Sequence, residues 1–364
     1  MTDFKYLSDY VNDKSAKIGI AALIGKLSPK ISSHKSGWAF HLANQCTLAG
    51  FKSVEVITDT TTNWDDFDVI LLEHGMEFKG TFNIFGGAND DLYHQIVRIF
   101  SKADIYSLHH DMPCIGKLID QRLHTGTDLF KTLGEENKEG HSQIDHIKEI
   151  CDVDIKRIDF IEKTDSLCFG DSHSFSQYTP GYMTQRHDGL TMHGALKRGL
   201  DEYVYPWINS LRVYMGNIDV RHHLMRQSNP SASVKQLIIN YEAELIKLQE
   251  RGIGEIEVVH VLPIENESRP LPKTGYYKDE PFAGSWSERN ALVNEINAGI
   301  DTMCENNGWK SYRHPDVYIN AKDELTFDVM EKPKSVHIAR EFYRWDLIKN
   351  EPNKKLIKQT TSLF

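Results

Sequence analysis

The chain has 364 residues, 40% hydrophobic and 26% charged, with a net charge of −10 at pH 7. That is enough chain for two ordinary domains, and the composition is that of a globular protein, not a disordered or fibrous one. The acidic balance disfavours a protein held on nucleic acid by a basic surface, though a local basic groove stays compatible with it. No apolar run approaches the roughly 18 residues that span a bilayer, so no membrane association is expected. The opening "MTDFKYLSDYVNDKSAK" has no apolar core and no cleavage pattern, which argues against a secretory signal. Five cysteines, Cys46, Cys114, Cys151, Cys168 and Cys304, stand apart without a Cys-x-x-Cys pair. They read as reduced thiols in a cytoplasm (a host cytoplasm if the chain is phage-encoded), with no zinc site and no cofactor implied.

In chain order, "KIGIAALIG" (Lys17 to Gly25) is an apolar run of strand length. "GWAFHLANQCTLAGF" has helical spacing through Trp38, Leu42, Cys46 and Leu48 until Gly50 stops it. "SVEVIT" and "FDVILLEHG" read as strands, "DDLYHQIVRIFSKA" as an amphipathic helix, and "DIYSLHHD" as another strand. This alternation predicts a parallel sheet covered by helices. The polar stretch from Gly134 to Glu149 is the best linker. Beyond it, "RIDFIEKTDSLCFG" supplies one or two strands and "SLRVYMGN" another. Ser231 to Gly252 reads as a long helix and "EIEVVHVLPI" as a buried strand. Ser285 and Glu288 stand in capping-box spacing at the head of a further helix. "DVYINA" is the candidate last strand, and "SVHIAREFYRWDLI" a closing loop and helix. The expected fold class is α/β: two tandem Rossmann-like or flavodoxin-like three-layer domains with parallel sheets, over 1–133 and 153–364, joined by a linker over 134–152.

The segment "DSLCFGDSHSFSQY" ends a hydrophobic run with Gly170-Asp171-Ser172-His173. A serine just past a buried strand sits at the carboxyl edge of a parallel sheet, where ligands bind in open α/β folds. A nucleophilic serine needs a base and oxyanion donors. His173 is too near in sequence to be assumed well oriented, and His337 in "KPKSVHIA" is the better candidate for the base. Between them "YMGNIDVRHHL" offers Asn217, Asp219, Arg221, His222 and His223 for oxyanion, substrate or metal contacts. "DGLTMHGALKRG" offers Gly189 and Gly194, whose backbone N–H groups could face substrate. Asp171 has either an active-site role or that of a helix N-cap.

The order GDSHS, glycine segment, G-N-I-D-x-R-x-H and late V-H-I resembles the SGNH (GDSL-type) hydrolase superfamily over roughly residues 155–350. The resemblance implies Ser172 as nucleophile, His337 as base, Gly189 or Gly194 as glycine donor, and Asn217 as the nearest match to the asparagine donor. Two positions depart from that pattern. Ile218 stands where G-x-N-D has its asparagine, and Lys334 stands where D-x-x-H has its aspartate. Asp328 or Glu331 then orients the imidazole, or the site works as a Ser–His dyad.

In the first half, "DDFDVILLEHGMEFKGTFNIFGG" (Asp65 to Gly87) is similar to the N-terminal half of phage-type DNA glucosyltransferases of the GT-B class. That resemblance implies a Rossmann-like domain built to hold a nucleotide, a sugar or a modified base, with Asn83, Gly86 and Gly87 as ligand-binding candidates. His109, His110 and Asp111 at a strand end are candidates for phosphate or metal. His34, Lys35 and Ser36 after the first strand are candidates for an anion.

The function expected is a serine esterase, deacylase or acyltransferase acting on a small-molecule, glycosylated or nucleotide-linked substrate, with His173 and the Asp219–His223 cluster contacting that substrate. The main alternative is a glycosyltransferase-like enzyme using a nucleotide-sugar, with phage nucleic acid as one acceptor. A metal-dependent phosphoesterase built on Asp171, His173, Asn217, Asp219 and His260, and a non-catalytic binding module, are the remaining alternatives.

Overall fold

The computed structural model describes residues 5–21, 28–30, 34–57, 63–73, 104–108, 155–158, 160–177, 181–187, 189–264, 277–332 and 335–343. Asn83, Gly86, Gly87, His109, His110, Asp111, the expected helix after Gly87 and the expected linker over 134–152 lie outside the described residues. The chain divides into two compact units, Met1–Lys163 and Thr164–Phe364.

The first unit holds a five-stranded parallel sheet of β1 (Lys17–Ala21), β2 (Ser53–Ile57), β3 (Val69–Glu73), β4 (Asp104–Leu108) and β5 (Ile155–Arg157), in the order β2-β1-β3-β4-β5. Helix α1 (His34–Leu48) turns Ala39, Leu42 and Cys46 into a core shared with Ile18, Ile20, Val69, Leu71 and Tyr106. Each of the Ile, Val and Leu side chains contributes about 1.5–3 kcal/mol by leaving water. His34, Lys35 and Ser36 open α1, and their side chains are not among those described.

The boundary differs from the one expected. β5 pairs with β4 through Ile105↔Ile155, and Phe160 bridges back to Tyr6, so the first unit runs to Lys163 and not to the 130s. The polar stretch before Ile155 interrupts the pattern without ending the sheet.

The second unit repeats the winding. β6 (Ser166–Gly170), β7 (Tyr182–Arg186), β8 (Ser210–Tyr214), β9 (Glu255–Val259) and β10 (Lys310–Tyr312) form a parallel sheet in the order β7-β6-β8-β9-β10. Each sheet thus reads 2-1-3-4-5 in its own strands, the flavodoxin-like order, whose ligand crevice opens between its first and third strands at their carboxyl ends. In the second unit that crevice lies past β6 and β8. All five residues of β8 are buried, as a strand between two neighbours and under helices requires.

Helices α2 (Met192–Arg198), α3 (Pro230–Glu250) and α4 (Trp286–Asn307) complete this unit, with α3 packed on both α2 and α4. α3 buries Val234, Leu237, Tyr241, Leu245 and Leu248, a stripe at helical spacing. Its cap is Asn229, which accepts from the Ala232 N–H, with Pro230 at the first position, two residues before the serine expected to start it. α4 carries the expected capping box, Ser285 with Glu288, and ends at Gly308 in the left-handed region.

One expected element differs, and the closing loop and helix are described only as far as Tyr343. "DVYINA" is not a strand: Asp316–Tyr318 forms a 3-10 turn after Pro315, and the fifth strand is the three-residue β10 before it. The "SVHIAREF" segment is a loop ending in a 3-10 turn at Arg340–Phe342.

A buried ion pair crosses the middle of this sheet. The Arg212 guanidinium on β8 donates to Glu257 Oε2 on β9 at 2.8 and 2.9 Å, with the two side chains 3% and 6% exposed. The Tyr182 ring lies 4.2 Å from the guanidinium. Glu257→Ala removes the carboxylate and leaves a buried cation without it, so unfolding by urea should show a loss of about 3–5 kcal/mol. The double replacement Arg212→Met, Glu257→Leu should recover most of that loss, whereas a Glu257→Ala midpoint within about 1 kcal/mol of the parent would refute the account.

Candidate active site

β6 ends at Gly170, where the chain must pass closely by β8. A Cβ at that position would come within 2.0 Å of the Tyr214 carbonyl oxygen, so no side chain fits. Asp171 then donates its N–H to the same carbonyl at 3.1 Å, and Ser172 follows at the rim of the crevice, half-buried.

The hydroxyl of Ser172 donates to His337 Nε2 at 2.8 Å across 165 positions of sequence. On the other side of the ring, His337 Nδ1 lies 3.4 Å from Glu331 Oε1. Glu331 is buried and braced: its Oε1 also accepts from the Ser335 hydroxyl at 2.9 Å, and Ser335 Oγ accepts from the His337 N–H.

Main-chain pairing explains how an acid six residues before the histidine reaches it. Met330 and Ile338 form an antiparallel bridge, the Glu331 N–H donates to the His337 carbonyl at 3.0 Å, and the Ala339 N–H donates to the Val329 carbonyl at 2.8 Å. Glu331 and His337 are therefore opposed across a hairpin, and residues directly opposed on one face meet. Of the two acids considered from sequence, the structure selects Glu331; Asp328 belongs to a 3-10 turn.

The electrostatics favour a neutral imidazole. Burial is the largest influence on His337 and pushes its pKa down to about 4; Glu331 acts in the opposite direction, and the charges of His173 and Arg186 add to the lowering. A histidine that stays unprotonated through neutral pH can accept the serine proton.

The oxyanion donors narrow. Gly194 is in α2, and its N–H donates to the Thr191 hydroxyl at 2.9 Å as part of the helix cap, which removes it as a donor. Asn217 is 2% exposed; its amide donates to the Leu262 carbonyl and its oxygen accepts from the Tyr214 hydroxyl, so it holds two strand ends together. The N–H groups of Ser172 and Gly189 have no hydrogen-bond partner among the described residues, and Gly189 has φ of +80°, a conformation glycine adopts readily.

The Asp219–His223 cluster is mostly structural. Asp219 accepts from the Met192 N–H at 2.6 Å and the His193 N–H at 3.0 Å, fixing the first turn of α2. Burial raises its pKa to about 6, and those two N–H donors work against that rise. Arg221 is buried, His222 stacks on Phe282, and His223 packs against the edge of Tyr277. The stretch is one turn of π-helix, which widens the backbone beyond β8. Asp171 and His173 bond to each other, and His260 bonds to Asp301 at 2.7 Å. No group of three or more metal-ligating side chains occurs among the described residues. The residues of the phosphoesterase alternative are thus engaged in separate contacts.

Sequence reasoning missed Arg186. It closes β7 opposite Gly170, is 1% exposed, and its charge reaches His337. The only signal was an arginine ending the otherwise unremarkable pentapeptide "YMTQR".

No protein-family model matches the chain, and no curated protein matches its sequence. Among solved structures, the chain is similar to a GDSL-like lipase from Bacteroides thetaiotaomicron at 17% identity, covering 54% of this chain and 87% of that one with a TM-score of 0.37. It is also similar to an extracellular lipase from Streptomyces rimosus at 11% identity, covering 54% and 99% with a TM-score of 0.32. A third is the OSK domain of Drosophila Oskar at 14% identity, covering 53% and 86%, also with a TM-score of 0.32. Among the described residues, no helix is long and apolar enough to cross a membrane.

Proposed function

We propose that the second unit is a serine hydrolase or acyltransferase of the SGNH type. The observation that carries this reading is the 2.8 Å contact between Ser172 Oγ and His337 Nε2, with Glu331 behind the ring. Ser172 Oγ attacks the carbonyl carbon of an ester while its proton passes to His337 Nε2. Glu331 holds the ring with Nδ1 protonated and stabilises the imidazolium that forms. The developing oxyanion meets the N–H of Ser172 and that of Gly189. His337 returns the proton to the leaving alcohol as the C–O bond breaks. Water, or an acceptor alcohol in the transferase case, then attacks the acyl-serine by the reverse sequence. The first unit, a parallel sheet, would recognise the carrier of the acyl group, a sugar or a nucleotide; the support for this is the resemblance over Asp65 to Gly87.

The test is labelling by a fluorophosphonate, followed by peptide mapping. Label is expected on Ser172, lost after unfolding. Because His337 is held near 4, well below the ordinary histidine value of about 6.5, the labelling rate should hold as pH falls through 6.5 and decline only below about pH 5. An unreactive Ser172 in the folded protein would remove the proposed nucleophile.

A further inference from the structure

His173, next to the serine in sequence, bonds to the backbone beside His337 in a way the acyl-transfer steps do not use. It is 4% exposed. Its Nδ1 lies 2.9 Å from Asp171 Oδ1, and its Nε2 lies 3.0 Å from the Val336 carbonyl oxygen, one residue before His337. A carboxylate and a carbonyl are both acceptors, so both bonds form only when both ring nitrogens carry protons. Asp171 Oδ1 also accepts from the His173 N–H at 2.9 Å, and its Oδ2 is buried without a partner among the described residues, which leaves His173 as the compensating charge.

We propose that His173 is the positioning residue of the Ser172–His337 pair: its doubly protonated ring ties the hairpin that carries His337 to the strand-end turn that carries Ser172. The catalytic half of this inference rests on the hydrolase reading, whereas the tether does not. The geometry gives the ring a second effect. Its centroid lies 4.8 Å from that of His337, so a cation here opposes a second cation there and keeps His337 able to accept a proton. The groups facing His173 are Asp171 from its own turn, Tyr214 from the end of β8, His314 from beyond β10, and His337 with the Val336 carbonyl from the hairpin. Those facing His337 are Ser172, Glu331, Arg186 and His173.

The experiment follows ring-nitrogen NMR signals of the histidines in the full chain, alongside fluorophosphonate labelling. In the parent protein, both His173 ring nitrogens should show hydrogen-bonded protons, one toward Asp171 and one toward the Val336 carbonyl; a ring with only one overturns the proposal and needs no variant to be seen. His173→Phe keeps the ring volume and removes both bonds and the charge. It should raise the His337 titration midpoint by about one pH unit and slow Ser172 labelling at pH 8 by at least about tenfold. His173→Gln, which can still donate to the Val336 carbonyl, should recover part of the labelling rate but not the midpoint. A folded His173→Phe protein with the parent midpoint and labelling rate overturns the proposal. If the ring results hold while Ser172 in the parent protein never labels, the tether stands and the hydrolase reading falls.

Discussion

Replacing His337 with alanine is expected to reduce ester turnover on the order of 10⁴- to 10⁶-fold, and Ser172→Ala by the same amount. The two side chains share one hydrogen bond at 2.8 Å and one proton transfer, so each is useless without the other. The double variant should therefore be no slower than either single one, leaving only what binding and the backbone donors contribute. KM should stay within a few-fold, because neither group is needed to hold the ground state. The measurement is steady-state hydrolysis of an activated aryl ester by the three variants. Additive losses, or a Ser172→Ala protein retaining more than about a tenth of the parent rate, would mean that the chemistry takes place elsewhere.

Glu331→Gln should be the next most damaging change, lowering kcat by about 10²- to 10⁴-fold with little change in folding. The carboxylate accepts from His337 Nδ1 and from the Ser335 hydroxyl. An amide of the same size can turn its NH₂ toward Nδ1, which favours the tautomer whose proton sits on Nε2 and faces the serine. That ring can no longer accept from Ser172. The 3.4 Å separation is long for a hydrogen bond, and such contacts tighten when the imidazolium forms. Losing the carboxylate also removes the influence that raises the His337 pKa, so the acid limb of the pH–rate profile should move further down. Its direction is opposite to that expected for His173→Phe, and the pair of shifts separates the two roles. A Glu331→Gln enzyme at parent rate would leave the site a Ser–His dyad.

Most of the strands were legible because burial writes mainly apolar runs: β3, β6, β8 and β9 stand where "VIL", "LCF", "LRVY" and "IEVV" do, the last two interrupted by the Arg212–Glu257 pair. β7 was not legible. Its sequence is "YMTQR", and Thr184, Gln185 and Arg186 are all buried, so this edge strand carries buried polar residues with no alternation to betray it. β10 has three residues, too few for any period. α2 was not predicted as a helix: Gly194 lies within it, and the Thr191 cap that engages the Gly194 N–H gives no apolar signal.

Within the site, the pairing of Ser172 with His337 was expected from the order of motifs, and the two side chains meet at 2.8 Å. Their acid partner was not legible. Local spacing separates Asp328 from Glu331 only once the hairpin pairing is known, and that pairing is a main-chain property. Asn217 and Asp219 look like ligands in the sequence for the same reason that they are buried in the fold. Short polar side chains just past a strand can serve either a substrate or the neighbouring backbone, and here they serve Leu262, Met192 and His193.

Because Glu331 faces His337 through ribbon register and not through a tight turn, the acid's aim is inherited from backbone bonds that no side chain supplies. A slip of one residue would swing the carboxylate to the reverse side of the ribbon while every atom of the acid stayed intact. The Ser335 hydroxyl braces the carboxylate, but a single insertion or deletion between Met330 and Ile338 would break the register on which its aim depends.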